Sequence, residues 1–240
     1  MTKNVTRNGI YAKVAVLTVL LAFIVAPSAV MAQEEPEYRM EIGGGAGLVA
    51  YEGDLNGSLV KGLRPMGGAV VKYKMNPRMA WSAQLSFGQL KGKSDNVDTY
   101  YPMSAQNPIA FKSSVTWLDL RYEYNFWAFG TGKEYRGARP LTPFITLGAG
   151  LAFAKPNESV AALQMPIGLG VKYKLQQRLN LTAEWIMHFT GSDRLDGVRD
   201  PYGIKSSGLF KNTDCYSTLQ LSVTYDIWAK CKTCHNDKDL

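Results

Sequence analysis

Long apolar runs are scarce in this chain of 240 residues. After Val14–Ala26 no segment approaches the roughly 18 consecutive apolar residues of a membrane-spanning helix. Basic residues exceed acidic ones by +7, yet they lie scattered. No stretch has the dense Lys/Arg clustering of a nucleic-acid face, so nucleic acid is not an expected partner. Histidine occurs twice and cysteine three times. No Ser/His/Asp set, metal cluster or phosphate loop emerges from their placement, and neither a catalytic residue nor a metal site is expected. Helical periodicity is missing too: no amphipathic helix of respectable length interrupts the chain.

What is present begins with a leader. Lys3, Arg7 and Lys13 precede Val14–Ala26, a predominantly apolar run of 13 residues, and Val30-Met31-Ala32 offers a processing site. This is the pattern of a secretory signal peptide, predicted over residues 1–32. Its removal takes three cations and no acids, leaving +4 on residues 33–240. An exported chain without spanning helices is periplasmic, secreted or an outer-membrane β-barrel.

The segment Gly168–Phe189 reads as a hairpin. Leu169, Val171, Tyr173 and Leu175 alternate with Gly170, Lys172 and Lys174. After Gln176-Gln177-Arg178, Leu179, Leu181, Ala183, Trp185, Met187 and Phe189 alternate with Asn180, Thr182, Glu184, Ile186 and His188. Strand side chains point alternately to opposite faces, so one face is apolar and aromatic while the other is charged. A second hairpin turns at Asn76-Pro77-Arg78, and VKYKMNPRM there matches VKYKLQQRL, offset by 100 residues. Further alternating stretches cover 38–51, 111–126, 143–154 and 217–228, which gives eight strands. The glycines of Gly44–Gly47 would weaken an isolated strand, but inside a narrow barrel they make room for bulky neighbours.

A β-sandwich and a membrane barrel both fit one such hairpin. Strand length separates them: barrel strands need about 9–11 residues, whereas globular strands average about 5–6. With the N-terminus in the periplasm, the connections 52–64, 92–110, 155–163 and 190–215 fall on the far side. Those at 76–78, 127–142 and 176–178 fall on the near side, and only 127–142 breaks the rule of short near-side turns. Tyr73, Trp81, Tyr124, Phe126, Tyr173 and Tyr225 would form an aromatic girdle near the inner ends. The opposite faces hold Arg39, Lys72, Lys74, Arg121, Lys172 and Lys174 against Glu41, Asp119, Glu123, Glu184 and Asp226. Isolated buried charges cost several kcal/mol, so ion pairs across the lumen are expected. The reading is all-β: an eight-stranded antiparallel up-and-down transmembrane barrel over 33–228, its polar interior plugged and not a pore, with a tail at 229–240.

The stretch EIGGGAGLVAYEGDLN at Glu41–Asn56, the eight-strand layout and the tail WAKCKTCHNDKDL resemble the PorG family of the Bacteroidetes type IX secretion and gliding machinery. The resemblance implies a non-enzymatic structural component of the outer membrane of a Gram-negative cell. It also implies association with the periplasmic PorK–PorN ring in protein transport. The bilayer lipid and ring proteins of this kind are the expected partners, and no cofactor is expected.

Two stretches could carry more than architecture. Cys231-Lys232-Thr233-Cys234-His235 has the spacing of c-type haem attachment, with His235 as axial ligand. A disulfide of Cys231 and Cys234, with each other or with a partner, fits an oxidising periplasm better. Cys215, a whole strand away, is beyond disulfide reach of that tail. The other stretch is 127–142, where Lys133, Arg136 and Arg139 could join the tail in docking the ring; a disordered solvated turn is the simpler reading. His188 reads as a hydrogen-bonded lumen residue, and Arg121 between Asp119 and Glu123 favours an ion-pair lattice over paired catalytic carboxylates. A free-standing barrel binding lipid or a small solute is the alternative function, and a haem carrier the third.

Overall fold

The computed structural model describes residues 38–52, 62–93, 110–131, 138–155, 159–192 and 214–229. The expected leader at 1–32 and the tail beyond Ala229 lie outside them. Eight strands run β1 Tyr38–Glu52, β2 Arg64–Asn76, β3 Met79–Lys93, β4 Ala110–Asn125, β5 Leu141–Lys155, β6 Val160–Lys174, β7 Leu179–Thr190 and β8 Cys215–Ala229. Each pairs antiparallel with its sequence neighbours, and β1 closes the ring on β8 from Tyr38↔Ala229 to Glu52↔Cys215. Among the described residues no helix is long and apolar enough to cross a membrane. The all-β closed barrel predicted from strand length and alternation is therefore the observed architecture.

The strand faces are sorted opposite to those of a water-soluble protein. Leu118, Leu120, Leu169, Leu219, Leu221 and Val223 stand exposed on the outside, Leu221 by 59%. Lys72, Arg121, Glu123, Lys172, Asp226 and their neighbours are buried inside. A ring of strands leaves no unpaired backbone edge, which is the condition for sheet structure to cross hydrocarbon. A polar filling under an apolar exterior is stable only when lipid surrounds it. The barrel is a transmembrane one.

One end of the barrel carries both strand termini, Tyr38 and Ala229, with the turns at 77–78 and 175–178; it is called the terminus end below. The other, the loop end, carries the connections 53–63, 94–109, 156–159 and 191–214. The connection expected over 155–163 is shorter than that, because β6 starts at Val160 and pairs there with Ala154. Tyr38 stands apart from Ile42 and Leu48, the exposed residues of the same strand parity. It is buried under Arg178, whose guanidinium lies 5.2 Å from its ring centroid and whose Nε donates to the Tyr38 hydroxyl.

The largest departure is the connection between β4 and β5. The described part is neither disordered nor wholly solvated: Ala128 and Phe129 are buried. The Phe129 amide donates to the Pro77 carbonyl at 3.0 Å, and a parallel bridge joins Phe129 to Arg139. Thr142 Oγ1 accepts from the Trp127 amide at 3.0 Å, and the Lys174 amide donates to the Pro140 carbonyl at 2.7 Å. The segment folds back over the terminus-end mouth as a cap.

Closure at this size needs glycines at chosen inward positions. A Cβ on Gly148 would lie 2.2 Å from the Leu120 carbonyl oxygen and 2.9 Å from Cγ of Arg121. One on Gly150 would lie 2.1 Å from Asp119 Oδ1. The small inward residues of β5 thus leave the volume that the long inward side chains of β4 occupy. Gly148→Leu is expected to lose at least about 1–3 kcal/mol by overpacking. The measurement is the urea midpoint of the purified barrel in vesicles; an unchanged midpoint would contradict this packing account.

Candidate functional site

The lumen is built in layers, each from inward positions of several strands. Nearest the terminus end, Lys74 Nζ contacts Glu41 Oε1 at 2.9 Å and Asp226 Oδ1 at 2.7 Å. Lys174 Nζ reaches Asp226 Oδ2 at 2.6 Å and donates to Asn180 Oδ1 at 3.0 Å. Phe129 of the cap roofs this layer, with Lys174 Nζ 5.6 Å from its ring centroid. Thr224 donates to the second oxygen of Glu41.

One step deeper, Lys72 and Lys172 share Glu123, at 3.1 Å to Oε1 and 2.5 Å to Oε2 respectively. Both ammonium groups also stand over the Phe144 ring, at 5.8 and 4.6 Å. The repeated V-K-Y-K sequence now has a structural meaning. β2 and β6 are four strands apart in a ring of eight, hence on opposite walls, and so are β4 and β8. The first lysine of each copy meets the other on Glu123, and the second lysines meet on Asp226. Two carboxylates clip four lysines across the lumen.

In the third layer Arg121 Nη1 pairs with Glu184 Oε2 at 3.0 Å, and Gln84 and Gln220 bond to each other and to this pair. In the fourth, Asp119 accepts from Gln164 at 2.6 Å and lies 3.6 Å from His188 Nδ1. His188 stacks on Tyr216 with ring centroids 4.4 Å apart, and its Nε2 is 3.3 Å from Thr218 Oγ1. Asp119, His188 and Thr218 thus resemble an acid–base–hydroxyl set. All three are 2% exposed or less, sealed beneath Trp117 and Tyr216. A reacting group cannot reach them, so they form a polar joint.

Sequence periodicity alone missed the loop-end half of the interior. Val49, Tyr51, Met66, Leu90, Val115, Trp117, Ala152, Ala154, Ala162 and Tyr216 form an apolar cluster there, with Phe111 packed against it. The signal was available, since Val115 and Trp117 share inward parity with Asp119 and Arg121. Tyr51 donates from its hydroxyl to Asp214 at 2.5 Å, tying this plug to the start of β8.

Of the residues proposed for the lumen, five cations and five carboxylates meet in these layers: Lys72, Lys74, Arg121, Lys172 and Lys174 with Glu41, Asp119, Glu123, Glu184 and Asp226. Arg39 is the exception. It is half-buried and makes no ion pair among the described residues. Arg139 lies exposed on the cap, its guanidinium 4.9 Å from the Trp127 ring centroid. Lys133, Arg136, Cys231, Cys234 and His235 lie outside the described residues. Among the described residues no cluster of His, Cys, Asp and Glu could hold a metal ion.

The family profile described as "Domain of unknown function (DUF6089)" matches residues 15–236. The chain belongs to the DUF6089 family. None of the curated proteins matches it. Solved structures that resemble this DUF6089 barrel include Neisserial surface protein A, at 11% identity and a TM-score of 0.48, over 78% of this chain and 97% of that one. The outer membrane protein OprG from Pseudomonas aeruginosa gives 11% and 0.44 over 82% and 99%. Ail, the attachment invasion locus protein of Yersinia pestis, gives 12% and 0.43 over 80% and 99%. The fold assignment itself rests on the strand order and register described above.

Removing one partner of a buried ion pair typically costs about 3–5 kcal/mol, whereas apolar replacement of the whole set is often neutral. Glu123→Ala, which strands two lysines, is expected to fall in that range. Adding Lys72→Met and Lys172→Met to Glu123→Leu should recover most of the loss. Urea unfolding in vesicles, followed by tryptophan fluorescence, tests this; a triple variant as unstable as Glu123→Ala would refute the shared-carboxylate account.

Proposed function

We propose that the chain is a non-enzymatic outer-membrane β-barrel that anchors a periplasmic partner complex. One observation carries the reading. The lumen is filled from the cap to the apolar plug, leaving the molecule its surfaces to work with instead of a conduit or a reaction site. The apolar exterior and the expected export leader support placement in the outer membrane of a Gram-negative cell. The longer connections, 53–63, 94–109 and 191–214, gather at one end, and in membrane barrels that end faces outward. By that rule the cap, the turns and the 229–240 tail face the periplasm.

The cap end has the chemistry of a docking face. Phe126, Trp127, Arg78, Arg139 and Arg178 are all exposed there. Exposed tryptophan and arginine are the residues most enriched among interface hot spots. The hydrogen bonds from the cap to the Pro77 carbonyl and to Thr142 hold this face rigid, which lowers the ordering cost of association. The resemblance to PorG points to a PorK/PorN-like ring as the partner and to type IX secretion and gliding as the process. Lys133, Arg136, Cys231 and Cys234 would extend the same face.

Trp127→Ala combined with Arg139→Glu leaves the lumen untouched and should insert as a folded barrel. Loss of about 2 kcal/mol or more at such a site weakens binding roughly thirtyfold. Ring proteins should then no longer co-purify from solubilised outer membrane, and secretion should fall. Unchanged co-purification with a folded barrel would remove the cap from the docking face. Loss of the whole chain without any secretion defect would argue against the machine role itself.

A further inference from the structure

The outward face at the loop end is uneven in charge. Lys91 of β3 stands directly opposite Lys112 of β4, and Lys155 of β5 stands opposite Ser114, one outward position along β4 from Lys112. Like charges directly opposite on neighbouring strands repel and destabilise the pair. None of the three lysines makes an ion pair among the described residues, and the outward positions of β1 and β8 at the same rim are Glu52 and Cys215. Three cations without an ion pair among the described residues are therefore gathered on three adjacent strands of the barrel wall.

Beside them lies a groove of about 420 Å³. Lys155, Ser114, Thr116 and Ser159 line it, together with Phe153 and Ala161. Phe153 continues the apolar exterior toward the middle of the membrane. A ligand satisfying both parts carries negative charge at one end and hydrocarbon at the other.

We propose that Lys91, Lys112 and Lys155, with the groove beside them, form a binding site for the phosphate headgroup of a membrane lipid, its acyl chain lying along Phe153 and Ala161. The position commits the site to a lipid and not to a soluble anion. The lysines are outward residues at or close to the loop-end termini of β3, β4 and β5, and the groove is lined by Phe153 and Ala161 of the apolar outer wall. Bound phosphate removes the Lys91–Lys112 repulsion, and Ser114, Thr116 and Ser159 supply donors to its oxygens. Each basic side chain at a membrane surface contributes about 1 kcal/mol toward anionic lipid, a factor of about five. This site is independent of whatever docks at the cap end.

The test uses the full chain reconstituted in phosphatidylcholine vesicles, with and without phosphatidylglycerol or lipid A. Anionic lipid is expected to raise the thermal unfolding midpoint. In native mass spectrometry it should be retained about fivefold less for each lysine changed to glutamine. The variant Lys91→Gln/Lys112→Gln/Lys155→Gln should match the wild type in pure phosphatidylcholine, showing that it folds, and lose the anionic increment. Ala161→Trp, which fills the groove and leaves the lysines, should also reduce retention. An undiminished increment in the triple variant overturns the proposal. So does an equal rise from inorganic phosphate in phosphatidylcholine vesicles, which would identify a site for free anion.

Discussion

Charge neutrality inside a closed apolar wall governs this molecule. Once the strands form a ring with hydrocarbon outside, every inward charge is removed from bulk water and must find its opposite within the lumen. Glu123 and Asp226 meet that demand by each holding two lysines, one from each of two opposite walls. The same contacts therefore neutralise the interior and brace the barrel across its diameter. Arg121 with Glu184 adds a third brace, so strands far apart in sequence cannot slip in register without separating an ion pair.

The rest of the packing follows from accommodating that lattice. Long inward side chains on β4 require small ones on β5, which is why Gly148 and Gly150 face Arg121 and Asp119. Phe144 supplies an aromatic face to Lys72 and Lys172, and Phe129 one to Lys174. The cap and the apolar plug around Trp117 then close the two ends of the polar zone and keep water from weakening it.

Much of this was written in residue order. Alternation gave the strands and their faces, and the charges of the lattice followed from parity. Other features depended on contacts that parity does not carry. Phe126–Thr131 has no strand pattern, and only its hydrogen bonds to Pro77 and Thr142 make it a cap. Val160–Leu163 looked like part of a loop because Ala161-Ala162 is weakly patterned, yet pairing with β5 extends the strand. Arg39 has the parity of Glu41 but no ion-pair partner among the described residues, so parity alone did not place it in the lattice. The Lys91–Lys112 juxtaposition is invisible in sequence, since it depends on the register between β3 and β4.

The sequence by itself determined the barrel: strands of barrel length with one apolar and one charged face can close only around a polar interior in a membrane. The tertiary structure decided which charge meets which. Periodicity assigns a face and an order along each strand, but pairing across a lumen depends on the stagger between strands. Stagger is set by the ring as a whole, through closure of β1 on β8. The two V-K-Y-K copies show the division plainly. Their likeness is evident in sequence, and its reason, two lysine pairs converging from opposite walls on Glu123 and Asp226, exists only in the closed barrel.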